Sequence, residues 1–535
     1  MRGREPQPQN EARRSVLRGA GVLTLLTAFS RVLGLVREQV RGYYLGTGAA
    51  SDAFGLASVI PNLFRRLLAE GAMTAAFVPV FAEYRRRATQ SDTNLFLSRF
   101  FTLFSFLVTI VTIAGVLVTP WFLKTFFKGF GDVQGKLELT IILTQIMWPY
   151  LLLVSLAAVI QAILNSYRIF APSAVTPVLL NLVTIGIVML CADWFPDPSY
   201  AFAIGFVAGG MLQLGFQIPF LRGHGLKILP RWSLDTGVRK VISTFIPGVF
   251  SAGIYQVNVL VSQFVASTLS QGAVASLQFS LRLQELVLGL FAVSVTTVVL
   301  PVMSDQVVDR DFHGVKDTLG FSIGLVTFVT LPASVGLILI GEPLVRLLFE
   351  WGAFDRTSTH MTAYALYFHA GSIGVIALSR IISQVFYAMK DLRTPTLVAF
   401  VVMLVHAGLC VGLAIPLAHG GVALAGGIAT TINIVLLWIP LRIKLGRMGT
   451  RKIITSISKI TLASTVMGIT VWSLGWVFEP MEIESRIQLG MTLLGMMGAG
   501  IVVFLACARL FRANELVEVV NLVRRRAERR NRATQ

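Results

Sequence analysis

Five arginines, Arg31, Arg37, Arg65, Arg66 and Arg282, fall inside stretches that are otherwise apolar enough and long enough to cross a bilayer. A guanidinium near the bilayer centre costs roughly 2.5 to 3.5 kcal/mol on insertion scales, so a residue of this kind marks a functional site by default. The planar fork of arginine matches phosphate oxygens bidentately and stays ionised at every relevant pH. The chemistry these residues suit is capture of an anion, a phosphate or pyrophosphate head group, in a hydrated cationic chamber. A cation exporter or a pump for apolar drugs would require carboxylates or aromatic rings instead.

Spacing assigns the five different tasks. Arg31 and Arg37 are separated by about 600° of helical turn and point to different faces of a straight helix. A bend at Gly34, between them, would let both converge on one cavity. Pro61 removes a backbone hydrogen bond from the second span and is a second candidate hinge. Arg65 and Arg66 diverge by about 100°. Glu70 follows Arg66 by four positions, a spacing that allows an ion pair. Arg65 is thus expected to face the cavity, with Arg66 and Glu70 as a structural pair or gate. Glu285, three residues after Arg282, neutralises it in the same manner, as a buried charge usually requires. Asp52, beside Ser51 at the entrance to the second span, stands where a helix N-cap is expected. Arg380 is a sixth embedded cation, in the tenth span.

The elements carrying these residues must be membrane helices. A chain of 535 residues that is 55% hydrophobic and only 14% charged is too apolar for a soluble protein and reads as an all-α polytopic membrane protein. Taking about 20 apolar residues per crossing, we count fourteen spans, including 51–82, 273–303, 395–417, 421–441, 453–478 and 487–510. Nothing alternates with period two over ten-residue segments, which excludes a closed β-barrel. With the N-terminus inside, the inner connections hold 31 Lys and Arg and the outer ones 7. That asymmetry puts both termini in the cytoplasm and favours an even number of spans. The net charge of +19 is accordingly a topology signal. Its cations are scattered over short loops, and nucleic acid is not an expected partner.

Other chemistries find no support. Cys191, Cys410 and Cys507 are isolated and lack metal-ligand spacing. The six histidines are dispersed, and no Gly-Lys-Ser/Thr loop cradles a nucleotide phosphate. The basic-then-apolar N-terminus continues into Arg31 without a small-residue cleavage site, which argues against a removed signal peptide. No cofactor or metal is expected; transport would draw on a coupling ion (Na+ or H+), the membrane potential or the substrate gradient.

An internal repeat supplies the architecture. Sliding the chain by 222 or 223 positions lays Pro79 on Pro301, Pro120 on Pro343, Gly129 on Gly352, Gln161 on Gln384 and Pro172 on Pro395. The offset spans six crossings, an even number, so the copies share one orientation and are related by a pseudo-two-fold along the membrane normal. The expected organisation is a cytoplasmic arm (1–15), an N-lobe (16–220), a cytoplasmic linker (221–240), a C-lobe (241–441), two further helices (453–510) and a basic tail (511–535). Paired bundles of this kind can rock around a shared site, the basis of alternating access. Gly490, Gly495, Gly498 and Gly500 along the last span allow close helix contact or leave a groove.

Several motifs taken together carry a resemblance. They are Ser30-Arg31-Val32-Leu33-Gly34-Leu35-Val36-Arg37-Glu38, Ser51-Asp52-Ala53-Phe54, Pro61-Asn62-Leu63-Phe64-Arg65-Arg66-Leu67-Leu68-Ala69-Glu70-Gly71-Ala72 and Ala76-Phe77-Val78-Pro79-Val80-Phe81-Ala82-Glu83-Tyr84. The chain resembles the MurJ (MviN) lipid II flippases of the multidrug/oligosaccharidyl-lipid/polysaccharide exporter superfamily. The resemblance implies a transporter of the bacterial inner membrane, not an enzyme, that moves undecaprenyl-pyrophosphate-linked peptidoglycan precursor to the outer leaflet. It implies substrate-binding roles for Arg31, Arg37, Arg65 and Arg282, a functional role for Asp52, and a lipid-tail groove at the last two spans. The expected partners are lipid II, membrane lipids and enzymes of wall synthesis, with a functional monomer. Glu38 stands where Asp is common, which keeps the carboxylate. Leu281 stands where the family often has an acid, which alters the charge balance at Arg282. A related flippase for another polyprenyl-linked oligosaccharide would share these features. A membrane enzyme acting on polyprenyl phosphates would need a carboxylate or histidine cluster that the sequence lacks.

Overall fold

The computed structural model describes residues 8–69, 72–289, 293–513 and 515–516; Glu70, and with it the expected Arg66–Glu70 pair, lies outside them. Among the described residues the chain is helical throughout and has no strand. It divides into two compact units, Met1–Ala275 and Ser276–Gln535. Nine described helices are long and apolar enough to cross a membrane, and a bent pair, Thr236–Val249 and Gly253–Ser267 at 41°, adds a tenth.

The first unit holds α1 (Pro8–Leu45), α2 (Ala49–Leu68), α3 (Ala72–Arg87), α4 (Gln90–Phe126), α5 (Lys136–Ser166), α6 (Ala171–Cys191), α7 (Ser199–Gly223) and α8 (Thr236–Ser267). Its core gathers Phe54, Met147, Tyr150, Phe202 and Phe206 from α2, α5 and α7. Phe77 and Phe81 of α3 stack with each other, and Phe77 also stacks with Phe96 of α4. Helix starts follow capping chemistry. Thr89 accepts from the Asp92 N–H at 3.2 Å to begin α4, and Asp235 accepts from the Val238 N–H at 2.8 Å to begin α8. α8 packs against α2, α3 and α4 within this unit, so the unit extends past the 16–220 lobe expected from the repeat.

The linker 221–240 is strapped to α4. Asn94, Ser98 and Thr102, one turn apart, hydrogen-bond its backbone in succession. The Asn94 amide donates to Gly225 O at 3.3 Å, Ser98 Oγ accepts from Leu229 N at 3.0 Å, and Thr102 Oγ1 accepts from Arg231 N at 2.9 Å. Trp232 then meets Phe106 edge-on at 4.9 Å.

The second unit comprises most of α9 (Ala273–Val287), then α10 (Val293–Val308), α11 (Phe312–Phe349), α12 (Arg356–Ala388), α13 (Arg393–Leu445), α14 (Thr450–Phe478) and α15 (Arg486–Leu510). One core joins α10 to α13 through Met303, Ile323, Ile373, Phe386 and Leu437. A second joins α11, α14 and α15 through Phe328, Met467, Leu493 and Phe504. α13 is two helices meeting at Ala418, whose φ of 45° and ψ of −133° interrupt the spiral between the spans expected at 395–417 and 421–441. The reversal is tight: a Cβ on Gly421 would fall 2.1 Å from the Leu413 carbonyl. Of the glycines along α15, Gly500 packs closely on α14, where a Cβ would meet Val471 at 2.9 Å, while Gly495 and Gly498 face open space. Arg346 and Arg486 fasten the α14–α15 connection: Arg346 donates to Met481 O at 2.7 Å, and Arg486 lies 3.6 Å over the Trp351 ring.

Two expected spans are each described as a pair of helices. The stretch 51–82 forms α2 and α3, and 273–303 forms α9 and α10. Val293 starts α10 221 positions after Ala72 starts α3, nearly the repeat offset.

Candidate functional site

Arg37 is the best-defined of the expected cations. Its side chain is 12% exposed, and Nη2 donates to Glu38 Oε1 at 2.7 Å. Nη1 donates to Asn181 Oδ1 on α6 at 3.1 Å, and the guanidinium lies 5.0 Å over the Phe206 ring. The amide of Asn181 works in both directions, because its Nδ2 donates to Ser30 O at 3.2 Å. A single neutral side chain thus holds α1 against α6 and aims Arg37. Two of the five guanidinium donors are engaged by these side chains, leaving others for a further acceptor.

Glu38 serves two cations. Its other oxygen lies 3.4 Å from Arg41 Nη1, and Arg41 also donates to Ser51 O at 2.9 Å. Glu38 and Arg41 are 5% and 4% exposed. One carboxylate between two guanidiniums leaves the trio with a formal charge of +1.

Arg31 is half-buried and makes no hydrogen bond or ion pair among the described residues. α1 is helical through Gly34, and a Cβ there would make only an ordinary 3.8 Å contact with Asn181. α2 likewise continues through Pro61, which is buried. Arg65 and Arg66, both half-buried, occupy the last turn of α2, where the helix dipole favours cations. Arg65 Nε donates to Asn62 Oδ1 at 3.0 Å, one turn back.

Asp52 departs from its expected role. The N-cap of α2 is Gly48; Asp52 lies within the first turn and is 1% exposed. Its carboxylate pairs with Lys136 Nζ at 2.7 Å and accepts the N–H groups of Gly272 and Ala275, both at 2.8 Å. Asp52 therefore caps the start of α9 instead of its own helix, and meets the positive ends of helix dipoles there. Lys136 begins α5, is 4% exposed and rests 4.1 Å over the Phe130 ring. The turn bearing Phe130 approaches the end of α8 so closely that a Cβ on Gly129 would lie 2.4 Å from Ser267 O. Arg41 and Lys136 look like outer-loop charges in sequence; both are interior ionic groups.

In the second unit, Arg282 is exposed and pairs with Glu285 at 2.9 Å. Its direction is fixed from the opposite face of α9. Ser280 Oγ lies 2.9 Å from His369 Nδ1. Gln284 Nε2 donates to His369 O at 2.6 Å and to Ser372 Oγ at 2.8 Å. Residues 280 and 284 share a face locked into α12, so residue 282 must point away from it. Arg380 is exposed on α12. Sequence reasoning passed over Asn181, Ser280, Gln284 and His369. The available signal was a neutral polar residue in an apolar run, which has to find a hydrogen-bond partner when buried.

A family model described as "Lipid II flippase MurJ" matches residues 42–483. A Vibrio cholerae protein described as a probable lipid II flippase MurJ is 34% identical over 507 residues, covering 92% of this chain and 95% of its own. A Burkholderia cenocepacia protein described as lipid II flippase MurJ is 32% identical over 425 residues, covering 78% and 82%. Among solved structures, a lipid II flippase MurJ in an inward closed conformation superposes with a TM-score of 0.76 at 26% identity, covering 92% of this chain and 99% of that one. An inward-facing multidrug transporter of the MATE family and MOP superfamily shares the fold, with a TM-score of 0.66 at 12% identity and coverage of 79% and 99%.

Proposed function

The chain belongs to the MurJ family of lipid II flippases, and from that premise we propose that it carries undecaprenyl-pyrophosphate-linked peptidoglycan precursor from the inner to the outer leaflet of the bacterial inner membrane by alternating access. It is an integral membrane transporter and not an enzyme. Fourteen crossings, two six-helix lobes and cytoplasmic termini complete the proposal, as does function as a monomer.

One observation carries the assignment of the head-group site. On α1, Arg37 is held by Glu38 and Asn181 with donors to spare, and one and a half turns earlier Arg31 has no counter-ion among the described residues. A half-buried cation without a partner keeps its charge only if water or an anion solvates it. A diphosphate supplies that anion, and the guanidiniums replace its lost hydration. Arg65, at the end of α2, and Arg282, on α9, are each assigned a contact with the head group in the course of transport. Energy comes from an ion gradient or from the membrane potential, which is worth about 2.3 kcal/mol per charge per 100 mV.

The test is leaflet exposure of labelled lipid II in cells whose sole flippase carries Arg31→Ala, Arg37→Ala, Arg65→Ala or Arg282→Ala at normal protein levels. Translocation is expected to fall at least tenfold for Arg31 and Arg37. Wild-type exposure in all four variants would remove the site assignment.

A further inference from the structure

The first turns of α14 line a cavity of about 460 Å³ with Arg451, Lys452, Thr455, Ser456 and Lys459, and Glu515, beyond the end of α15, closes it. The electrostatics at this helix end are inverted. Gly449 provides the N-cap without a side-chain hydrogen bond, the first turn carries no acid, and two cations stand at the positive end of the dipole. Among the described residues none of the three cations forms an ion pair; Lys459 Nζ donates to Arg512 O at 3.1 Å. An anion is the missing partner.

Glu515 makes a second and independent demand. It is 8% exposed, and one carboxylate oxygen accepts the Ser456 hydroxyl. Among the described residues the other oxygen, Oε2, is buried without a hydrogen-bond partner. Its seat is shaped for it, since a Cβ on Gly324 of α11 would fall 2.5 Å from Oε1. A buried carboxylate oxygen needs a donor. The occupant must therefore bring a negative group to the cations and, a few ångströms away, an N–H or O–H to Glu515.

The same side of α14 continues downward as an apolar track. Leu462 and Ile469 follow Thr455 at seven-residue intervals and are exposed on a helix of spanning length. Seven residues make about two turns, so these side chains lie in line beneath the cavity. A soluble phosphate has no use for that stripe; a phospholipid does.

We propose that this cavity is a binding site for a membrane phospholipid. Its phosphodiester lies against Arg451, Lys452 and Lys459, its head-group amine or hydroxyl donates to Glu515 Oε2, and its acyl chains run along Leu462 and Ile469. Phosphatidylethanolamine and phosphatidylglycerol both meet the double requirement. Phosphatidylcholine lacks the donor, and so does phosphatidylmethanol, although the latter keeps the negative charge.

Purified full-length protein in detergent tests this by native mass spectrometry and thermal unfolding with each of the four lipids and with glycerol 3-phosphate. Phosphatidylethanolamine and phosphatidylglycerol should be retained at least fivefold better than the two donor-free lipids, with a matching rise in melting temperature. Glycerol 3-phosphate should give no shift, whereas an equal shift would make this a free-anion site and overturn the lipid assignment. Arg451→Ala with Lys452→Ala should lower retention of all four lipids. Glu515→Ala should abolish the preference for donor-bearing head groups. Thr455→Trp fills the cavity from an exposed position; it should remove the preference while leaving lipid-free melting unchanged. Retention that ignores head-group chemistry, or that survives Thr455→Trp with its selectivity intact, would refute the site.

Discussion

Asp52 and Lys136 form an ion pair at 2.7 Å although 84 residues separate them, and the two side chains are 1% and 4% exposed. The carboxylate is also bound by two backbone N–H groups, of Gly272 and Ala275. A pair this deeply desolvated gains its stability from complete hydrogen bonding, because Coulomb attraction alone scarcely repays the loss of water. Asp52 has that completeness on the acceptor side. It stands where α2, α5 and α9 begin, so three helix starts share one negative group.

Removing either partner strands the other. Asp52→Ala and Lys136→Met should each destabilise the protein by roughly 3–5 kcal/mol, the range for an uncompensated buried charge. The double variant should lose clearly less than the sum, with a coupling of about 1 kcal/mol or more. Thermal unfolding of the purified protein in detergent gives all four corners of this cycle. Strictly additive losses would mean that the two charges do not depend on each other.

Asn181 offers a way to disturb Arg37 without touching its charge. Asn181→Leu removes both the acceptor for Arg37 and the donor to Ser30 O, at a cost of about 1–3 kcal/mol for the buried groups left unpaired. Asn181→Asp keeps an acceptor but brings a negative charge against Arg37. If Arg37 serves an anionic head group, the Asp variant should transport lipid II more poorly than the Leu variant, despite holding Arg37 in place. Flipping assays at matched protein levels decide the order, and a more active Asp variant would count against an anion at Arg37.

The hydrogen-bonded strap between α4 and the linker predicts a local effect. Replacing Asn94 and Ser98 by Ala and Thr102 by Val removes the side chains that hold residues 225–231. Local opening should become easier with little change in global melting, because these contacts lie outside the three hydrophobic cores described above. Limited trypsin digestion should then cut after Lys227 and Arg231 at least tenfold faster. Unchanged cleavage would show that the Trp232–Phe106 contact and the Arg99–Asp235 ion pair at 2.9 Å suffice to hold the linker.

The all-helical membrane class was legible because hydropathy accumulates over 20 residues and does not depend on distant partners. The ionic partners inside the helices were not legible, since they are set by contacts between segments far apart in the chain. Arg31 and Arg37 stood out because a charge in an apolar stretch is conspicuous. Lys136 did not, because a lysine at a helix start looks like any loop cation until Asp52 arrives from 84 residues away. Asn181, Gln284 and His369 show the same limit: neutral polar groups orient Arg37 and α9 through contacts that no local pattern encodes.

Asp391 ties the two ends of α13 together, and its effect should depend on pH. It accepts the Thr394 N–H at 3.1 Å and the Thr394 hydroxyl at 2.7 Å, and it pairs with Lys444 from the far end of the same element. The Lys444 ammonium first, and Thr394 second, hold its carboxyl below the ordinary carboxylate range. A folded value below the unfolded one, which is about 3.9, means that the stabilisation is complete above that pH and is lost as pH falls from there through the folded value. Lys444 is 41% exposed, so the ion pair contributes no more than about 0.2–1 kcal/mol and is screened by salt. Asp391→Asn should accordingly melt slightly below wild type at pH 7 and low salt, with the gap beginning to close only below about pH 4. The gap should also shrink at high salt, whereas the loss from Thr394→Val, which removes an uncharged donor, should persist there. Melting curves across pH and salt separate the two, and a gap for Asp391→Asn that is unchanged at about pH 2 would assign its effect to shape instead of charge.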